Sequence, residues 1–407
     1  MTLDEVDLKN PDLYLAGVPH ELFTRLRRDD PVHWNPEPDG RGFWSITKYD
    51  DIVAISKNPA VFSSARAHGG HRIFDENVVG VAGLGAEETA APMISMDPPE
   101  HNRFRRMLSP TFSPLRLKPL EERIHERVCA ILDRLGARHE CEFVTDIAAE
   151  LPVQMLAELL GVPQEDRLKL FDWSNSLIAE DDPELRKSPE ATARDVAAMI
   201  DYSARLWDQR LAHPGNDLIS MLVHSQTPDG ETMSKEQYLG TFILLVVAGN
   251  ETTRNSISGG VIALAQFPDE RRRLAANSGL MATAAAEIVR YVSPIMHMRR
   301  TAIADTELRG KQIRAGDKVI LWYPSANRDE EIFTDPFRFN ATRAELPQLG
   351  FGTGQHYCLG ARLAEMQLRL FFTEFLRRYP NAEPVGPIRR MRSNFVAGIK
   401  EMPVRLH

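Results

Sequence analysis

Residues 234–266 read as one long helix, and that length constrains the fold more than anything else in the chain. Ser234 with Gln237 three places later forms a capping box. Apolar residues then recur at helical spacing up to Phe267-Pro268. About 33 residues at 1.5 Å each make a rod roughly 50 Å long, enough to cross a whole domain. Everything else must pack around it. Yet its middle, VVAGNETTRNSISGG, is a poor helix former, with Gly249, Thr252 and Thr253 close together. A polar break inside a buried helix needs a reason.

The remaining pattern is mostly helical. Residues 119–135, 147–160, 163–178 and 189–211 carry helical periodicity, as do 281–291, stopped by Ser293-Pro294, and 358–379. Strand signals are few. PVHWNP and GFWSIT read as a hairpin, residues 298–323 as short strands turning at Arg314-Ala315-Gly316-Asp317, and NFVAGIKEMPVRL near the end as a last hairpin. The expectation is a mainly α chain with a small β region, roughly 31–65 and 295–325, in a single domain over 1–407. Residues 67–92 hold glycines and no sustained period, and a long irregular stretch of that kind tends to be functional.

A net charge of −8 argues against a general nucleic-acid binder, while leaving room for a local basic patch facing an acidic protein. The apolar run 242–249 is far short of the roughly 20 residues of a spanning helix. The acidic start MTLDEVDLKN lacks the basic and apolar regions of a signal peptide, so the chain reads as soluble and cytoplasmic. There are 3 cysteines and no CxxC. Cys129 and Cys141 sit in apolar surroundings and read as small core residues.

Cys358 is different. It lies in FGTGQHYCLG, a glycine-rich turn before a helix, where free N–H groups and the helix dipole favour an anion. A structural cysteine needs no such glycines. A nucleophile needs a base, and His356 is too near in sequence for good geometry. A single thiolate bound to a metal centre fits best; one cysteine cannot build a zinc or iron–sulfur site, but it can be an axial ligand of haem iron.

FGTGQHYCLG resembles the F-x-x-G-x-x-x-C-x-G signature of the cytochrome P450 superfamily, the haem-thiolate monooxygenases. AGNETT resembles its oxygen-binding helix motif, Glu287-Ile288-Val289-Arg290 its E-x-x-R and DPPEHNRFRR its H-x-x-x-R helix, all in the family's order. The resemblance implies a triangular prism with the long helix over haem b, Cys358 as proximal ligand and Gly360 beside it. It implies Ala248 and Gly249 as the space for dioxygen, and Glu251 and Thr252 as an acid–alcohol pair relaying protons. His101, Arg105, Arg300 and His356 would bind the propionates, with Arg299 as the neighbouring alternative to Arg300. Glu287 and Arg290 would be a structural ion pair tied to the loop near Asn327 and Arg328. Arg103, Arg106, Arg362 and Arg369 could form a patch for an acidic [2Fe–2S] ferredoxin, fed by an NAD(P)H-dependent reductase, on a monomeric enzyme.

Outside these motifs, EDDPELRKSPE and RRTAIADTELRG are similar to the bacterial linalool 8-monooxygenase group. VAGNETTRNSI resembles hydroxylases of methyl-branched lipids and sterol side chains. Both imply attack on a terminal methyl, with linalool to 8-hydroxylinalool as the specific expectation. Pocket candidates are Ile73, Phe74, Val78, Leu244, Leu245, Val247, Ala248, Ile295, Met296, His297, Phe395 and Val396. His297 is offered either as a partner for a substrate hydroxyl or as an ordinary satisfied core histidine. The rival class is a haem-thiolate protein that is not a monooxygenase, a peroxide user or gas sensor; the Glu251-Thr252 pair and the lack of a spare signalling segment argue against it.

Overall fold

The computed structural model describes residues 3–407 except 39, 77–90, 227–229 and 344–346. Val78 and most of the irregular 67–92 stretch therefore lie outside the described residues. Helix accounts for 54% of the chain and strand for 11%.

The central helix spans Lys235–Gln266, and both halves of its capping box form: Ser234 Oγ accepts from Gln237 N and Gln237 Oε1 accepts from Ser234 N. Helices Glu150–Leu160, Arg167–Ile178, Pro189–Ala212, Met281–Val292 and Ala361–Arg378 pack around it. The expected break in its middle is not there. Thr252 Oγ1 donates to Ala248 O at 2.8 Å, Asn255 Nδ2 to Glu251 O at 2.9 Å and Ser256 Oγ to Thr252 O at 2.8 Å. Each polar side chain folds back on its own helix, and the ladder persists in a composition that disfavours it because the helix is packed on several sides. Gly260 has a packing cause: a Cβ there would fall 2.5 Å from Phe372 Cζ on the Ala361–Arg378 helix.

The two strand-rich regions of the sequence join in one five-stranded sheet. Its order is Val32–Asn35, Phe43–Ile46, Lys318–Trp322, His297–Ala302, Phe62–Ser63. The first pair is the expected hairpin, with Trp34 opposite Trp44; Phe43–Ile46 runs parallel to Lys318–Trp322, and the other pairings are antiparallel. Thr306–Leu308 and Lys311–Ile313 form a small separate ribbon.

The tail does not form a hairpin. Ile399–Glu401 pairs with Arg389–Arg390, whereas Pro403–Arg405 pairs with both Glu140–Glu142 and Glu383–Pro384. Met402, fully enclosed between them, reverses no chain; the strand runs on from one small sheet into another. Helix ends also shift. The last helix begins at Ala361 rather than 358, because Cys358 N donates back to Phe351 O at 2.9 Å. A single π turn, Val144–Ala148, takes the place of the expected start of Glu150–Leu160.

Candidate active site

The cysteine turn is held from outside. Asn327 Oδ1 accepts from Leu349 N at 2.7 Å, and Asn327 Nδ2 donates to Ser293 Oγ at 2.8 Å. Gly354 adopts φ +70°, and a Cβ there would lie 2.5 Å from Ser56 O, so only glycine fits. Gly360 caps the last helix, and a Cβ on it would meet only Phe112, at 4.0 Å. Burial pushes the Cys358 thiol up to about 11, while the N–H groups of Gly360 and Ala361 and the Arg105 guanidinium pull it down. Desolvation thus opposes the pull of the helix start on this sulfur. A cation at the sulfur restores the thiolate, since a coordinating thiol is deprotonated outright.

Four nitrogen-bearing side chains converge beside the turn. His101 is on the Glu100–Leu108 helix and His356 on the short Gly354–His356 turn; their ring centroids are 4.2 Å apart, and each Nε2 is buried without a partner. Burial, aided by Arg300 and His101, holds the His356 ring down to about 2, and burial lowers His101 as well, so both are neutral. Arg300 is 4% exposed and, among the described residues, its side chain donates only to the neighbouring Arg299 O, at 2.7 Å. Arg105 has no carboxylate partner among the described residues. Arg299 turns away, to His68 O, Phe74 O and Thr301 Oγ1, which leaves Arg300 as the arginine facing the two imidazoles. Donors gathered without an anion fit a group carrying two carboxylates above a sulfur ligand, as haem does.

On the central helix, Glu251 is 1% exposed and burial raises its pKa. Its Oε2 is ion-paired with Arg254, while Oε1 has no partner. Thr252, one residue on, is only half-buried and donates to Ala248 O, not to Glu251. The space at Gly249 is used by a neighbour: a Cβ there would meet Leu156 Cδ1 at 3.2 Å. Arg254 escaped the sequence reading, although its spacing three residues after Glu251 on a helix was a visible signal.

The pocket candidates divide. Val247 and Ile295 pack against a small apolar cluster containing Phe395 and Val396, and Ile295 bridges to Val396. Leu244 and Leu245 lie against the main core. Ile73 and Met296 belong instead to the cluster of Phe23, Phe43 and Trp322 under the N-terminal segment. Phe74 lies under Arg72, whose guanidinium is 4.6 Å from its centroid. A cleft of about 310 Å³ between Gly17, Ile262, Tyr291 and Arg390 is lined by two of the candidates, Met296 and Val396, and by none of Cys358, Thr252 or His356.

Glu287 and Arg290 are both fully enclosed. Arg290 makes two bonds to the carboxylate, at 2.7 and 2.8 Å, and further ones to Asn327 O at 2.7 Å and Pro336 O at 2.9 Å. The supposed docking patch is thinner than expected. Arg103 is ion-paired with Glu231 and Arg369 with Glu121; Arg106 and Arg362 alone of the four have no acidic partner among the described residues.

The Cytochrome P450 family model matches residues 279–402. The chain is 45% identical over 404 residues to the linalool 8-monooxygenase of Pseudomonas putida, covering 99% of both. It belongs to the cytochrome P450 family. A steroid C26-monooxygenase of Rhodococcus jostii is 38% identical over 405 residues, covering 98% of this chain and 84% of that one. A cytochrome P450 of Mycobacterium marinum, solved in complex with pseudoionone, superposes with a TM-score of 0.90 at 35% identity, over 99% of each chain. The architecture is accordingly the P450 fold, the chain is a P450 monooxygenase, and the family implies haem-thiolate iron and dioxygen. No helix among the described residues is long and apolar enough to cross a membrane.

Proposed function

We propose that this P450 hydroxylates a terminal methyl of an acyclic monoterpene alcohol, converting linalool to 8-hydroxylinalool. The observation that carries this reading is the end-to-end likeness to the Pseudomonas putida enzyme. In the overall reaction one oxygen atom of dioxygen enters a C–H bond. The other leaves as water with two protons and two electrons, delivered singly from NAD(P)H through a reductase and a [2Fe–2S] ferredoxin. The enzyme acts as a cytoplasmic monomer.

Cys358 would hold the iron of haem b, and His101, Arg105, Arg300 and His356 would hold its propionates. When bound, the haem supplies a thiolate-ligated iron at which dioxygen is activated. The protein's part is proton delivery and positioning. Thr252 Oγ1 exchanges its bond to Ala248 O for water, and Glu251, whose pKa burial raises against the pull of Arg254, is the acid behind it. Ala248 and Gly249 leave the helix without bulk at that turn. A terminal methyl is a stronger C–H bond than its secondary or tertiary neighbours, so Val247, Ile295, Phe395 and Val396 must impose orientation.

The second reading is terminal hydroxylation of a sterol side chain or a methyl-branched lipid, favoured by the likeness to the Rhodococcus jostii enzyme. A reduced carbon monoxide difference spectrum tests the thiolate-bound haem, and Cys358→Ser is expected to abolish both that spectrum and turnover. Linalool is expected to shift the iron spin state in a spectral titration and to yield 8-hydroxylinalool. No response to linalool beside a clear response to a branched fatty acid or sterol would move the assignment to the second reading.

A further inference from the structure

Two buried nitrogens flank the Phe395 ring, and no described residue satisfies either. One belongs to His297. Its ring is fully enclosed, set edge-on to Phe395 at 5.2 Å between centroids and to Trp322 at 5.1 Å. Its Nδ1 lies 2.9 Å from Asn394 O. A carbonyl only accepts, so Nδ1 carries the hydrogen and Nε2 presents a bare lone pair. Burial holds the ring down to about 3, so it stays neutral at working pH, and Nε2 has no partner.

The other belongs to Arg72. Its guanidinium lies 4.1 Å over the same Phe395 ring and is fixed by Nη2 donating to Glu180 Oε1 at 2.7 Å. Its Nε is buried and likewise unpartnered. Nε can only donate. One aromatic ring is thus bordered by an unsatisfied donor and an unsatisfied acceptor, groups that are costly to leave unpaired once desolvated.

We propose that Arg72 and His297 together hold the hydroxyl group of the substrate, Arg72 Nε donating to the alcohol oxygen and His297 Nε2 accepting its hydrogen. This rests on the alcohol reading above and narrows it. A hydroxyl is both donor and acceptor and satisfies both nitrogens. A carboxylate, ketone or ether has no hydrogen for the His297 lone pair. The placement is also productive. Phe395 shares its apolar cluster with Val247, the residue before Ala248, whose carbonyl receives the Thr252 hydroxyl. A substrate tethered at Arg72 and His297 lays its hydrocarbon across that cluster and sends its far end toward Thr252.

The test is spectral titration of the haem-loaded enzyme with linalool, with the same skeleton lacking oxygen (3,7-dimethylocta-1,6-diene) and with the methyl ether of linalool. The wild type is expected to prefer linalool to the diene by about tenfold or more, the scale of one hydrogen bond to a charged donor. Arg72→Leu is expected to cut that preference to about twofold, while diene affinity moves less than about threefold. His297→Phe is expected to erase the preference for linalool over its methyl ether. Arg72→Gln, which keeps a donor, should recover part of the effect, and it serves as the variant of record if Arg72→Leu loses its carbon monoxide spectrum. An Arg72→Leu enzyme that keeps the wild-type preference overturns the proposal. The parent reading fails separately. If linalool does not bind but 3,7,11-trimethyldodecanol is preferred to the matching acid in a His297-dependent way, the monoterpene assignment falls and the anchor stands. Linalool turnover without any alcohol preference removes the anchor alone.

Discussion

Arg290 and Arg300 are both almost wholly enclosed, one at the end of a helix and one on the strand that follows. Arg290 is saturated: it holds both oxygens of Glu287 and the carbonyls of Asn327 and Pro336. Among the described residues Arg300 has one side-chain bond, to its neighbour's carbonyl, and beside it stand two imidazoles with unpaired nitrogens. A buried cation with every donor satisfied is part of the scaffold. A buried cation with donors to spare is waiting for an anion that the chain does not provide. The difference separates residues that build this protein from residues that bind something.

The comparison breaks most visibly under substitution. Arg290→Leu strands the Glu287 carboxylate in the core and is expected to cost about 3–5 kcal/mol, read as loss of folded, haem-loaded protein on expression. Arg300→Leu removes a charge with no carboxylate partner. It is expected to fold in near-normal yield and to surrender haem faster to an acceptor protein. Equal yields for the two variants would erase the distinction.

The same contrast can be sharpened on two hydroxyls of the central helix. Thr252 and Ser256 both donate to the carbonyl four residues back, at 2.8 Å. Only Thr252 belongs to the turn assigned to proton delivery. Thr252→Ala is expected to lower product formed per NAD(P)H consumed by about tenfold or more, with the fold intact, while Ser256→Ala leaves that ratio unchanged. A parallel loss in both would reduce Thr252 to a helix-packing residue.

The smallest effect lies around Arg290 itself. The His20 ring is held down to about 3, first by burial and then by Arg328, Arg27 and Arg290. Its folded pKa is below the ordinary value of 6.5, so the unfolded chain binds the extra proton. Its contribution to stability is full above about pH 6.5 and is lost as pH falls toward 3. His20→Asn is expected to flatten the decline of the thermal midpoint in that window. An unchanged slope would mean that the scaffold around Arg290 tolerates another positive charge.

Local chemistry made much of this legible in advance. Ser234 and Gln237 announced the start of the central helix, Ser293-Pro294 the end of Met281–Val292, and PVHWNP with GFWSIT a hairpin, because caps, prolines and alternation act within a few residues. The pairing of the tail was not legible. Ile399–Glu401 and Pro403–Arg405 look like two arms of a hairpin, but the first pairs with Arg389–Arg390 and the second reaches Glu140–Glu142, and pairing across more than 200 residues leaves no local trace. For the same reason Ile73 and Met296 passed as pocket residues when they are core, and Arg72 and Arg254 went unnoticed.

By itself the sequence determined the family, the sulfur at Cys358, the long helix and the order of the motifs, since these depend on residue type and short spacing. Only the tertiary structure decided which buried groups are satisfied. Whether Arg300 or Arg299 faces the imidazoles, whether Glu251 meets Arg254 or Thr252, and whether His297 keeps a free lone pair are questions of partners brought from far along the chain. Partnering of that kind is set by packing, and packing is a property of the folded whole.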